Sequence, residues 1–102
     1  MATLAEKLRS EFNNEFLQVR DELDDYVMSQ IRVSGSAYVG ATGCDNTLIE
    51  TQKYGMYSGI KRISTRLFDA ARTYYKEQGL FFRIDYSPMG TIRRGFFVSI
   101  ID

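Results

Sequence analysis

"LFFRIDYSPMGTIRRGFFVSIID" runs from Leu80 to Asp102. Two aromatic-rich segments flank a turn signal, the pattern of a β-hairpin. Pro88 suits the second position of a type I turn. Gly90 suits the left-handed position after it, which predicts a three-residue loop with a G1 bulge. Ser87 then pairs with Thr91, and the register follows outward. One face carries Leu80, Phe82, Ile84 and Tyr86 opposite Val98, Phe96, Arg94 and Ile92. All but one of these are apolar or aromatic, so this face is expected to cover the core. Arg94 is the exception, and must snorkel out at the end of the sheet or meet an acid of the first helix. The other face carries Phe81, Arg83 and Asp85 opposite Phe97, Gly95 and Arg93. There Phe81 and Phe97 are expected to stack, and Asp85 and Arg93 to form an ion pair.

Upstream, the spacing predicts a helix ending at Gly79, a residue favoured just past a helix C-terminus. Its opening is the capping box Thr47–Glu50. Its apolar stripe is Met56, Ile60, Ile63, Leu67, Ala71 and Tyr74. Gly55 and Gly59 each cost up to ~1 kcal/mol in a helix interior. The early part is therefore expected to kink, or to give way to a firmer helix from about Ser58. Before it, "IRVSGSAYVGAT" (31–42) alternates with period two and reads as a strand. Its inner face is small: Gly35, Ala37, Ala41, with Ile31, Val33 and Val39. Small side chains let a helix pack closely there. "TGCDN" makes a turn.

A first helix spans Leu4 to Ser29. Thr3 and Glu6 form its capping box. Leu4, Leu8, Phe12, Phe16, Val19, Leu23 and Val27 make one stripe, as an amphipathic helix requires. Arg9, Arg20, Asp21, Asp24 and Asp25 face away. At ~1.5 Å per residue it would reach about 40 Å, long enough to overhang the domain or dock elsewhere. The expected fold is α+β with element order α-β-α-β-β. Two helices pack on one face of a three-stranded sheet that ends in a hairpin, one domain over residues 1–102.

The chain has 102 residues, 44% of them hydrophobic and 25% charged, with one cysteine and no histidine. That is ordinary for a globular protein, and large enough to fold without metal or disulfide. Cys44 has no partner for a disulfide and no histidine with which to build a zinc site. No apolar leader precedes the first helix and no run approaches ~20 apolar residues, so neither secretion nor a membrane span is expected. A reducing cytoplasm is the expected compartment. The net charge is zero but unevenly divided. Residues 1–50 hold four Lys/Arg against nine Asp/Glu, a balance of −5; residues 51–102 hold nine against four, +5. Either the halves neutralise each other on packing, or they present an acidic and a basic face to a partner.

Several motifs fall short of a chemistry. The order Arg94-Gly95-Phe96 invites comparison with the RNA-reading strand of RRM domains. That strand needs two aromatics two residues apart to share a face. Phe96 and Phe97 are neighbours and point to opposite faces. The RRM element order also differs. "GSAYVGATG" (35–43) lacks the Gly-Lys-Ser/Thr of a P-loop. Glu50 and Lys53 have the wrong spacing for a nuclease pair. Arg62 and Arg66 share one exposed face of the second helix, suited to solvent or to an acidic partner. Cys44 lacks a histidine to activate it.

The expected function is therefore that of a small non-enzymatic interaction protein. It would bind a protein partner or self-assemble, as assembly subunits, inhibitors and immunity-type proteins do. The expected contact residues are Phe81, Arg83, Arg93 and Phe97 on the sheet, Arg62 and Arg66, and Asp21, Asp24 and Asp25 on the acidic helix. No catalytic residue, cofactor, metal or membrane is implied. The alternative is a single-stranded nucleic-acid module, with bases stacked on Phe81 and Phe97 and phosphates met by Arg83 and Arg93.

Overall fold

The computed structural model describes residues 3–42, 46–56 and 58–101. The middle of the expected turn at "TGCDN", residues 43–45 with Cys44, lies outside these residues. The first helix, α1, spans Leu4–Ser34, and the Thr3 hydroxyl accepts from the Glu6 amide at 3.1 Å, as the capping box requires. It runs five residues past its expected end. Ile31 and Val33 fit either periodicity, and Val27 to Ile31 continues the helical stripe. The helix stops where the backbone first turns left-handed, at Gly35 (φ 87°), whose N–H bonds the Ile31 carbonyl at 2.8 Å. Glycine takes that conformation without a Cβ clash. The first strand, β1, is therefore shorter than predicted, Ser36–Ala41.

Residues 47–63 depart most from expectation. They form β2 (Ile49–Thr51) and β3 (Lys61–Ile63), an antiparallel pair, in place of the first half of a helix. The two glycines decide this. Gly55 and Gly59 both hold φ of +92°, which no right-handed helix can contain. Bonds from the Gln52 amide to the Ile60 carbonyl and from the Gly59 amide to the Gln52 carbonyl close the loop. The helix starts later: a 3-10 turn at Thr65–Leu67 leads into α2, Phe68–Glu77, which ends before Gly79 as predicted.

The C-terminal hairpin forms from β4 (Phe81–Tyr86) and β5 (Arg93–Ser99). Its register lies two residues from the expected one, for two separate reasons. The turn is one residue longer, because the Ser87 amide bonds the Ile92 carbonyl. A bulge between Asp85 and Tyr86 adds the second: Asp85 pairs with Gly95, Tyr86 with Arg93, and Arg94 is the extra residue. A two-residue shift preserves the faces of the strands beyond the bulge. Phe82, Ile84, Phe96 and Val98 therefore do line the core, with Phe82 stacked on Phe96 at 4.6 Å. The sheet has five strands, where three were expected, in the order β2-β3-β1-β5-β4, with β1 and β3 parallel. The α+β class, the long first helix and the C-terminal hairpin stand.

Both helices pack on the same face of the sheet. Phe16, Val19, Leu23 and Val27 of α1 and Phe68, Ala71 and Tyr75 of α2 meet Ala37, Val39, Ile63, Phe96 and Val98. Ala37 is the small residue that lets α1 approach β1. At ~1.5 Å per residue, 31 residues make about 46 Å, equal to the longest dimension of the molecule. The helix does overhang: Leu4 and Leu8 are exposed and burial begins near Phe12. No helix among the described residues is long and apolar enough to cross a membrane.

Asp24 is the polar pin of this layer. It accepts from the Tyr74 hydroxyl at 2.6 Å and from the Tyr75 hydroxyl at 3.0 Å, tying α1 to α2. Burial and the adjacent carboxylate push the Tyr75 phenol well above its ordinary range, so it stays a donor. Removing the acceptor leaves a buried hydroxyl unpaired. Asp24→Ala is expected to lower unfolding free energy in urea by about 2 kcal/mol, and Asp25→Ala, on the exposed side of the same helix, by less than about 0.5 kcal/mol. Equal effects from the two variants would contradict this assignment.

Candidate functional site

Alternation along each strand and the observed registers fix what the uncovered face presents. Three rows of side chains cross the sheet. Glu50, Arg62, Gly40, Gly95 and Asp85 form one; Tyr38, Phe97 and Arg83 the next; Ser36, Ser99 and Phe81 the third. Among the described residues no helix packs against this face.

The two glycines sit side by side in the first row, and their missing side chains set the surface. Tyr38 lies across Gly95, where its hydroxyl reaches Asp85 Oδ2 at 3.1 Å and the Arg94 carbonyl at 3.4 Å. Arg62 lies across Gly40 and reaches Glu50 at 3.9 Å. In the second row Tyr38 meets Phe97 with ring centroids 4.9 Å apart, and the Arg83 guanidinium sits 5.1 Å from the Phe97 centroid, a cation–π geometry. Burial first, then the bond to Asp85, raises the Tyr38 phenol above its ordinary value, while Arg94 and Arg62 pull it the other way. Tyr38 is therefore a neutral hydrogen-bond donor at physiological pH.

Two open depressions share this face. One, about 760 Å³, lies among Ser36, Phe81, Arg83 and Phe97 and wraps round the β4 edge to Lys76 and Phe82. The other, about 600 Å³, lies among Tyr38, Arg62, Asp85, Arg94 and Phe97, with Arg93 at its border. Aromatic planes and guanidinium groups line both, which suits them to binding. Among the described residues no group of three His, Cys, Asp or Glu side chains could hold a metal ion.

The expected contact residues separate into two sets. Phe81, Arg83, Phe97 and Arg62 share the open face, although Arg62 reaches it from a strand and not from a helix. Phe81 pairs with Ser99, so its expected stack with Phe97 does not form; Tyr38 takes that place. The bulge turns Arg93 toward the helices, where it lies 3.6 Å from Asp69. The expected Asp85–Arg93 pair is therefore absent, and Asp85 holds Tyr38 instead. Arg66 does not share a face with Arg62: it grips Glu15 of α1 at 2.7 Å on the helix side. Asp24 is held by the two tyrosines. Asp21 and Asp25 remain exposed on α1, Asp21 beside Arg20.

Glu15–Arg66, Glu22–Lys61 and Glu50–Arg62 each join the acidic first half to the basic second half, so much of the charge asymmetry is neutralised internally. Tyr38 is the residue that sequence reasoning passes over. Its alternation with Ala37 and Val39 places it outward, but only the pairing of β1 with β5 brings it to Phe97. No known family, curated protein or solved structure matches this chain.

A methyl group at Gly95 would lie 2.5 Å from both the Tyr38 hydroxyl and the Val39 carbonyl oxygen; one at Gly40 would meet only the flexible Arg62 side chain, at 3.3 Å. Backbone cannot swing aside. Gly95→Ala is expected to cost about 2–3 kcal/mol in a denaturant titration and Gly40→Ala less than about 1 kcal/mol. If Gly40→Ala proves the more damaging, Tyr38 does not cross the sheet at Gly95.

Proposed function

We propose that the chain is a small non-enzymatic interaction protein whose working surface is the open face of its sheet. It engages a protein partner or another copy of itself, in the manner of an assembly subunit, inhibitor or immunity-type protein, and works in the cytoplasm. One observation carries this reading: a five-stranded sheet that the described residues cover on one side only, with Phe81 46% exposed on the same face as Tyr38 and Phe97. Aromatic and arginine side chains on an uncovered surface are the groups that dominate protein interfaces. Phe81 and Arg94 are exposed enough to change without unfolding the chain. Captured from its native cells, the wild type should retain a partner that the Phe81→Asp/Arg94→Glu variant loses by at least about tenfold. Undiminished capture by the variant would sink this surface as the site of action.

The Tyr38–Phe97 pair flanked by Arg62, Arg83 and Arg94 also supports a second reading, single-stranded nucleic acid stacked on the rings. Arg94 and Tyr38 take the place that Arg93 and Phe81 held in the sequence-based version. A labelled oligonucleotide titrated at about 50 and about 200 mM salt separates the two readings, because phosphate contacts weaken steeply with salt. Binding at the lower concentration that fades at the higher favours the nucleic acid. No binding at the lower concentration removes it.

A further inference from the structure

We propose that two copies of this chain pair edge to edge through β4, giving one continuous ten-stranded sheet with a two-fold axis at Ile84. This deepens the functional reading above, on which it rests, by naming a second copy as a partner. The strand order leaves β4 unpaired on one side, whereas the opposite edge, β2, is only three residues long. An unpaired six-residue strand presents a row of N–H and C=O groups. Natural edges are commonly blunted by charged side chains, proline or bulges, and here the bulge lies only at the Tyr86 end while the two charges are of opposite sign, so they complement a second copy. "FFRIDY" contains no proline, and both its charges, Arg83 and Asp85, point to the open face.

Those two charges select the register. Antiparallel copies that keep their helices on the same side must pair residues of like face. With Ile84 opposite Ile84, Arg83 of each copy stands opposite Asp85 of the other, twice by symmetry. Phe82 then faces Tyr86 on the helix side. A two-residue slip one way sets Arg83 against Arg83; the other way sets Asp85 against Asp85. Both neighbouring registers are therefore repulsive. Asp85 accepts from Tyr38 through Oδ2, so the incoming guanidinium would meet a carboxylate that already has a fixed place. The exposed parts of Phe81 and Tyr86, 46% and 49%, add apolar area at the two ends of the seam.

The test uses the full chain and two variants of opposite sign, Arg83→Glu and Asp85→Lys, followed by sedimentation equilibrium at low salt. Wild type should sediment at twice the chain mass. Either variant alone meets like charge across the axis twice, and its dimer should weaken at least about tenfold. An equimolar mixture restores both attractions, so it should again give a dimer containing one copy of each. Circular dichroism shows whether each variant is folded. Amide exchange of the wild type across residues 82–86, which should slow as concentration rises, gives a readout that needs no variant. A wild type that stays monomeric, variants that dimerise as well as wild type, a folded mixture that fails to dimerise, or exchange insensitive to concentration would each overturn the pairing. A monomeric wild type would leave a different protein as the partner of the open face, and Phe81→Asp/Arg94→Glu decides that face separately.

Discussion

A charge cannot rest on the covered face of a small sheet without a partner, because desolvation costs more than packing returns. Consecutive arginines at 93 and 94 make that constraint unavoidable in the C-terminal hairpin, and the bulge meets it. One extra residue takes Arg94 out of the ladder and leaves it exposed at the rim. The same extra residue turns Arg93 toward the helix layer, where Asp69 at the start of α2 receives it. Asp85 is thereby left opposite a glycine instead of an arginine. Both faces of the sheet are arranged by this single irregularity.

On the open face the consequence is a layer built across the strands. Gly95 has no side chain, so Tyr38 can cross it and reach Asp85. Phe97 then stands between Tyr38 and Arg83. Each side chain in the row is held by its neighbour, which lowers the entropy lost when a partner binds. On the covered face the helices are fixed by paired polar contacts, Asp24 to two tyrosines and Glu15 to Arg66. Polar pairs tie the helices together where the sheet is covered, and mutually contacting aromatic and basic groups stand where it is not.

The long helix was legible in the sequence because its capping box and stripe are local signals. Its end was not, since residues 31–33 satisfy both periodicities and only the left-handed Gly35 separates them. Thr47, Glu50, Met56, Ile60 and Ile63 happen to carry helical spacing, so local pattern alone makes β2 and β3 look like helix. The strand character of β3 comes from pairing with β1, more than twenty residues away in the chain, and that of β2 from pairing with β3, neither of which local pattern reveals. The hairpin's turn residues were plain, yet its register required knowledge of the loop length and of the bulge. For the site, alternation placed Phe81, Arg83 and Phe97 correctly. It could not bring in Tyr38, whose role depends on β1 lying beside β5. It also offered Asp24 to a partner, because nothing local shows the tyrosines that occupy it.

On the function proposed above, the face bearing Tyr38, Phe81 and Phe97 is open in the isolated chain and covered when the protein works. Hydroxyl-radical footprinting of these three rings, on the dilute chain and on the assembly isolated from native cells, measures this directly. Phe81 should oxidise readily and Tyr38 and Phe97 measurably in the dilute chain, with all three suppressed in the assembly. Rings already shielded in the dilute monomer, or equally reactive in both states, would contradict that function.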